Sequence, residues 1–158
     1  MHIVTETTAQ KLVSIPQAIS VVEKAFSAFD SGASSLFPVV SGRGQEQGTR
    51  FGVKSAFDGT RGIPGVKVGT YWPSNRTNGL ESHFSVTLIL DGKTGYPSAL
   101  ISSSYLTALR TAAADAIAVK CLAKKNSMRV GVIGAGHQAF YDVQAIRCVR
   151  EIRSVLVC

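Results

Sequence analysis

The segment MRVGVIGAGHQA, residues 128–139, constrains the fold of this chain more than any other stretch. A run of apolar residues typical of a buried strand leads into Gly134 and Gly136, and a segment with helical spacing follows. The first glycine permits a tight turn, the second lets a ligand approach the backbone, and the small Ala139 lets the helix pack closely on its strand. We therefore predict a β-α-β unit whose glycine turn binds the pyrophosphate of a dinucleotide.

The first helical turn after these glycines is where phosphate is expected to bind. His137 and Gln138 lie there, and the free N–H groups and the positive dipole end of the helix attract anions. Gln138 could equally cap the helix. The acidic residue that distinguishes NAD from NADP normally follows the next strand, about 20 residues on. Because that strand, SVLVC, ends the sequence at Cys158, we expect NAD or NADP as the cofactor without choosing between them.

Upstream of this unit the sequence predicts a helix and then a sheet. Residues 14–32 have helical spacing, with Ser14 as the cap and Gly32 after the end. Short apolar segments follow, separated by turn residues, and they indicate a mostly antiparallel or mixed sheet. The expected core face of the helix consists of its small and aromatic residues at helical spacing: Ala18, Val22, Ala25, Phe26 and Phe29.

A second helix, residues 105–123, links the two parts of the chain. On a helical wheel Arg110 falls within an apolar stripe that we expect to be buried: Leu106, Ala113, Ala114, Ile117 and Cys121. A buried guanidinium needs a counter-charge. Either a carboxylate ligand supplies it, or Arg110 forms a structural salt bridge. The predicted fold class is α/β, with a mixed-sheet domain at residues 1–125 and the first β-α-β unit of a Rossmann domain at 126–158.

Composition narrows the function classes. The chain of 158 residues carries a net charge of +7, but its basic residues are spread along the sequence, so we expect no nucleic-acid binding. No apolar run approaches the roughly 18 residues of a membrane span, and no secretory signal is visible, so we expect a cytoplasmic protein without a membrane segment. The three cysteines are expected to be free and mostly buried, and we expect no metal site.

Several segments together resemble the ornithine cyclodeaminase and mu-crystallin family. They are GVKVGTYWPSN, LDGKTGYPSALI, YLTALRTAAADAIAVKCLA and VGVIGAGHQA, in that order. The resemblance implies an N-terminal substrate and dimerisation domain joined to a Rossmann domain, and we therefore expect a homodimer that forms through the N-terminal domain. It also implies an NAD(P)-dependent enzyme that transfers hydride at the α-carbon of an amino acid or cyclic imine, by cyclodeamination or ketimine reduction.

The same resemblance assigns roles to three residues. It implies that Arg110 pairs with the substrate carboxylate, a role that suits the planar guanidinium fork. It implies that Lys67 binds the substrate close to the reacting carbon, which makes Lys67 the catalytic candidate. It implies that Thr111 contacts the dinucleotide phosphate. From the pattern alone, Lys67 could instead face solvent and Thr111 could be an ordinary helix-surface residue.

Two departures from the family pattern bear on the substrate. Relatives often carry an arginine where this chain has Val40, and they often read MPA where this chain has KSA, residues 54–56. These differences argue against assuming ornithine. The alternative function is a non-catalytic, mu-crystallin-like protein that binds NAD(P)H and a small carboxylate. We expect the 158 residues alone to be catalytically inactive and to associate through an unfinished sheet that exposes three apolar residues: Val130, Val132 and Ile133.

Overall fold

The computed structural model describes all residues, Met1–Cys158, and the chain forms two compact units. Unit 1 comprises Met1–Gln10 and Ser27–Tyr105, and unit 2 comprises Lys11–Phe26 and Leu106–Cys158. This division differs from a boundary after residue 125, because two long helical segments group with the C-terminal residues. The functional partition into a substrate domain and a nucleotide domain stays a prediction.

Unit 1 is built on a mixed seven-stranded sheet. The strand order is β1-β7-β6-β5-β4-β2, and β3 also pairs with β4. Only the pairing of β1 with β7 is parallel, so the expected mixed sheet is confirmed. The strands are β1 (His2–Val4), β2 (Ser35–Leu36), β3 (Val40–Gly42), β4 (Arg50–Asp58), β5 (Ile63–Tyr71), β6 (His83–Leu90) and β7 (Pro97–Ser102).

The boundaries between the units fall inside three helices, and a short 3-10 helix (Pro73–Asn78) follows β5. Helix α1 (Glu6–Leu12) was not predicted, whereas α2 (Ile15–Asp30) confirms the predicted first helix. Ser14 precedes α2, and both its N–H and its hydroxyl donate to Gln17 Oε1, at 2.8 and 2.7 Å. The expected core face of α2 is wrong at its C-terminal end, since Phe26 and Phe29 are about half exposed.

The central strands of unit 1 present two different faces. Alternate residues of a strand point to opposite sides of the sheet. The register of β4, β5 and β6 gathers apolar residues on one side and basic residues on the other. One side, called here the apolar face, carries Phe51, Val53, Phe84 and Val86. The other side, called the cationic face, carries Arg50, Lys54, Lys67 and His83.

Unit 2 contains the β-α-β unit that the glycine-rich segment predicts. Strand β8 (Arg129–Val132) pairs in parallel with β9 (Ser154–Val157), and α4 (His137–Arg147) connects them. Arg150, just before β9, donates from Nη2 to the carbonyls of Val119, Lys120 and Ala123 at 3.0–3.2 Å. These carbonyls end helix α3 (Ser104–Leu122), so a guanidinium satisfies acceptors that a helix C-terminus leaves open.

The buried face of α3 shares only Ala113 with the predicted apolar stripe. It consists of Ala108, Leu109, Ala112, Ala113 and Ala116. Arg110 is exposed, and of its predicted apolar neighbours Cys121 is exposed as well. The helix is alanine-rich, and Leu109, which is 1% exposed, sets which side is buried. Arg110 therefore lies at the edge of the buried face rather than at its centre.

The expectations for the cysteines and for the exposed apolar residues of β8 meet the structure with different outcomes. All three cysteines are free, as predicted, but they are exposed rather than buried. Ile133 is 97% exposed, as predicted, whereas Val130 and Val132 are partly covered. None of the helices is both long enough and apolar enough to span a membrane. No group of three His, Cys, Asp or Glu side chains is arranged to hold a metal ion.

Candidate functional site

The glycine turn after β8 has the geometry that its sequence requires. Gly134 has φ +94°, a left-handed conformation that side-chain-bearing residues rarely adopt. Its N–H donates to the Cys158 carbonyl at 2.8 Å, and the Cys158 N–H donates to the Val132 carbonyl at 3.0 Å. The ladder between β8 and β9 thus continues to the point where the chain turns, and Gly134 allows the turn to be sharp.

Gly136 opens the turn to a ligand. It is the N-cap of α4 in an extended conformation, with φ −78°, and no side chain caps this helix. A Cβ built on Gly136 would meet no atom within 4 Å, so the protein itself does not need a glycine there. An adjoining depression of about 290 Å³ is lined by the turn, by α4 and by the two strands, including Ala139 and Val157. Free N–H groups at an uncapped helix end suit a phosphate.

Gln138 neither caps α4 nor points its amide toward open solvent. Its Nε2 donates to the Ala108 carbonyl at 3.1 Å and to Asp142 Oδ1 at 2.7 Å. The side chain therefore joins the first turn of α4 to α3, and a phosphate contact would fall to the backbone N–H. His137 is exposed, and its ring meets the Tyr141 ring edge-on with centroids 5.0 Å apart.

Thr111 and Arg110 lie side by side on α3 but differ in their bonding. The Thr111 hydroxyl donates to the Thr107 carbonyl at 2.9 Å, within the helix, so it would have to rotate to donate to a phosphate. No ion pair in the chain involves Arg110, which removes the structural salt bridge as an explanation of this residue. The guanidinium is available for a ligand.

Arg110 lines an open depression of about 510 Å³ in unit 2. The other lining residues come from α3 and from the segment around the start of α2, and nearly all are apolar, for example Leu12, Val21 and Leu109. A cation at the rim of an apolar surface suits a small carboxylate with a hydrocarbon part, because one group neutralises the charge and the other displaces water.

Two carboxyl groups not predicted from the sequence meet where α3 and α4 pack. Burial raises the pKa of Asp115, and the neighbouring Asp142 carboxyl raises it further through its charge and a hydrogen bond. Asp142 also accepts the hydrogen bond from Gln138. Sequence spacing gives no signal for this pair, since the residues lie on different helices. Through Gln138 and Asp142, the first turn of α4 is thus linked to a carboxyl group whose pKa is raised.

Lys67 belongs to unit 1, where β5 holds it on the cationic face. It is partly buried and lies directly opposite Lys54 of β4 and Thr87 of β6. Gly69, two residues on, occupies the same face, and a Cβ built there would lie 3.9 Å from both Lys67 Cε and His83 Nε2. Lys54 is the residue that sequence reasoning passed over as a binding group, although strand alternation could have revealed it.

The structure thus gathers five of the predicted nucleotide-binding residues in one turn: Gly134, Gly136, His137, Gln138 and Ala139. Thr111 and Arg110 stand on α3, to which Gln138 connects. Lys67 lies on β5, in unit 1. The roles assigned to all of these residues stay predictions.

Comparison with known proteins places these features in a family context. The sequence model described as "Ornithine cyclodeaminase/mu-crystallin family" matches residues 1–158. The chain is 35% identical over 156 residues to iminosuccinate reductase from Paracoccus denitrificans, covering 99% of this chain and 49% of that protein. The chain spans about half the length of the curated relatives it matches.

Solved structures show the same likeness. The Δ1-pyrroline-2-carboxylate reductase of Thermococcus litoralis, in complex with NADH and L-proline, matches with a TM-score of 0.95 and 32% identity, over 99% of this chain and 49% of that one. An archaeal alanine dehydrogenase dimer with bound NAD matches with a TM-score of 0.92 and 32% identity, over 99% of this chain and 48% of that one.

Proposed function

The chain belongs to the ornithine cyclodeaminase/mu-crystallin family, and from that premise we propose that it supplies the nucleotide-binding turn and the carboxylate-binding residues of an NAD(P)-dependent enzyme. The reaction is hydride transfer at the α-carbon of an amino acid or of its imine. When bound, the nicotinamide supplies or accepts the hydride, and the protein contributes binding, orientation and electrostatics.

The observation that carries this proposal is the turn from β8 into α4. Gly134 adopts a left-handed conformation, and the space beside Gly136 is open although the fold itself does not require it. Together with an uncapped helix N-terminus, these features fit a pyrophosphate. The main-chain N–H groups of the first turn of α4 would hold it, while the Gln138 side chain keeps that turn fixed to α3.

Arg110 is proposed to bind the substrate carboxylate. Its guanidinium has no ion-pair partner in the chain and borders an apolar depression, which is the environment that an amino or imino acid needs. The role proposed for Lys67 is supported separately, by the family resemblance of its strand and by its place on the cationic face. A lysine there holds an anion close to the reacting carbon.

Imine reduction is the favoured reaction. The similar proteins with named activities include iminosuccinate reductase and Δ1-pyrroline-2-carboxylate reductases. In that direction an imine, the reduced nicotinamide and a proton would give an amine and the oxidised nicotinamide. The second candidate is a non-catalytic protein that binds NAD(P)H and a small carboxylate, and it would need the same turn and the same cations. Turnover separates the two.

A homodimer is proposed through the apolar face of unit 1. Phe84 is 44% exposed and Phe51 38% exposed, and both lie on the same side of the sheet, on the two strands that flank β5. Contiguous exposed apolar surface of this kind marks association sites. The similar archaeal alanine dehydrogenase is a dimer.

The test compares two proteins. One is the 158-residue chain, and the other is the same chain extended by the half of Paracoccus iminosuccinate reductase that it does not match. NADH and NADPH are titrated by fluorescence, and NADH oxidation is followed with a panel of imines and of 2-oxo acids with ammonia. We expect turnover from the extended protein and none from the 158 residues. Cofactor binding without turnover in the extended protein would favour the binding protein, and no binding would contradict both functions.

A further inference from the structure

Lys54 and Lys67 stand directly opposite each other on β4 and β5. Residues so paired have Cβ atoms about 4.5–5.5 Å apart, and like charges at that spacing repel. No ion pair in the chain involves Lys54, and its side chain is exposed. An exposed lysine without an ion pair, placed directly opposite a second lysine, is a site that attracts an anion.

The next row of the same face has no side chains in its centre. Gly52 lies directly opposite Gly69, and Gly69 lies opposite the buried Ser85. Neither glycine has a positive φ, so the backbone does not require them. A glycine inside a strand weakens it and often marks a place where a ligand approaches the backbone closely. Gly52 and Gly69 therefore expose backbone without side chains next to the two lysines, and this surface is called here the glycine floor.

The cationic face has no acidic residue to balance its charge. Within the three rows that run from Arg50 to Lys54 along β4, the paired positions of β5 and β6 contain no Asp or Glu. Arg50 and Lys54 therefore add two basic side chains to the face on which Lys67 lies. The Arg50 guanidinium lies 5.0 Å from the centre of the Tyr71 ring, so it is already engaged in a cation–π contact.

We propose that Lys54 binds a second carboxylate of the substrate, so that the enzyme acts on a dicarboxylic amino or imino acid. The proposal rests on the proposed function, in which Lys67 holds the first anionic group. The second carboxylate lies next to the glycine floor, where Lys67 Cε and His83 Nε2 border the space above Gly69, and it reduces the repulsion between the two lysines. Lys54 is thus a specificity-determining residue, and an unbranched apolar residue in its place would favour monocarboxylic substrates.

The experiment uses succinate and butyrate, which have the same four-carbon chain and differ by one carboxylate. Each is titrated at low ionic strength into the 158-residue chain, and binding is followed by the NMR shifts of backbone amides in β4, β5 and β6. Three proteins are compared: the unaltered chain, Lys54→Met, and Lys93→Met. Lys93 lies in the exposed turn between β6 and β7, away from the cationic face, so its loss removes the same net charge.

We expect succinate to bind the unaltered chain about threefold to fivefold more tightly than butyrate, a ratio that suits one additional exposed charge pair. Lys54→Met is expected to remove this preference, and Lys93→Met to keep it. A preference that survives in Lys54→Met, or equal binding of both acids by the unaltered chain, would overturn the dicarboxylate assignment and leave the proposed function intact. Failure of both acids to bind would overturn the assignment together with the role of Lys67, and the NADH titration tests the nucleotide site independently.

Discussion

Gln138 Nε2 donates a hydrogen bond to the carbonyl oxygen of Ala108, 3.1 Å away, although Ala108 lies inside a helix. The same nitrogen donates to Asp142 Oδ1 at 2.7 Å. Through this one amide, the helix end proposed to bind phosphate is fixed to the helix that carries Arg110. The side chain thus acts in positioning, while the anion is left to the main chain.

Gln138→Leu is expected to lower the free energy of unfolding by about 1–2 kcal/mol, because it leaves the partly buried Asp142 carboxylate without its donor. The midpoint of urea denaturation measures the loss. Gln10→Leu, on the exposed side of α1, serves as the control and should leave the midpoint unchanged. Equal midpoints for both variants would show that the amide contributes nothing to stability.

The two glycines of the turn are expected to respond differently to substitution. Gly134→Ala should destabilise the protein by about 1–2 kcal/mol, because its positive φ is unfavourable for alanine. Gly136→Val should leave stability within about 0.5 kcal/mol, since nothing surrounds its Cβ, yet weaken NADH binding by about tenfold or more. Thermal unfolding and NADH fluorescence measure the two effects. Normal NADH binding by Gly136→Val would make the turn merely structural.

Arg110→Lys is expected to raise the KM for the imine or amino acid by about tenfold or more in the extended protein, because a point charge cannot replace a bidentate fork. The dissociation constant for NADH should not change. Stability should also be unaffected, since no ion pair is lost. Steady-state kinetics over the carboxylate panel provide the measurement, and an unchanged KM for every substrate would contradict the assignment.

Asp115→Asn is expected to stabilise the protein at neutral pH. Burial and the neighbouring Asp142 hold the pKa of Asp115 above its usual value, so the folded state binds this proton more tightly than the unfolded state. The resulting stability is present below about pH 4, near the ordinary Asp value, and is lost as the pH rises through the raised pKa. The gain from Asn should therefore shrink on acidification.

Asp58→Asn serves as the comparison, because its effect on stability at neutral pH is expected to have the opposite sign to that of Asp115→Asn. The Thr60 hydroxyl donates to the Asp58 carboxylate and lowers its pKa, so the stability from Asp58 is present above the ordinary Asp pKa and is lost as the pH falls. Denaturant midpoints of both variants across the acid range measure the two trends. Parallel trends would show that Asp115 is not destabilised by its surroundings.

Phe84→Lys is expected to convert the proposed dimer into a monomer, because it places a charge in the middle of the apolar face. Tyr96→Lys replaces a more exposed aromatic residue, in the turn between β6 and β7, and should leave the assembly unchanged. Light scattering coupled to size-exclusion chromatography measures the mass. A dimer that persists in Phe84→Lys would place the interface elsewhere.

The sequence predicted those elements whose pattern is local. Alternation identified the central strands, and the glycine spacing identified the β-α-β unit, since Gly134 is required by its own backbone angle. The face of Lys67 followed from alternation as well. Its neighbour across the sheet did not, because the register of β4 and β5 depends on the turn at Gly62, whose geometry spacing alone does not define.

The misplaced face of α3 has a different cause. Alanine is apolar on every side of a helix, so an alanine-rich segment offers little contrast from which to infer the buried side. The choice is made by tertiary packing around Leu109. The Asp115 and Asp142 pair was missed for the same reason, since only the packing of α3 with α4 brings the two carboxyl groups together.

The discontinuous make-up of unit 2 has a consequence for synthesis on the ribosome. Lys120 forms an ion pair with Glu23 at 2.7 Å, across 97 residues of sequence, and both belong to that unit. The chain emerges from its N-terminus, so every strand of the seven-stranded sheet is translated before α3 is complete. Until then, the Ala18 and Ile19 side chains of α2 lack their final surroundings. A nascent chain that has reached Tyr105 contains every strand of the sheet and can form it. Its first long helix, α2, cannot pack until α3 has been synthesised.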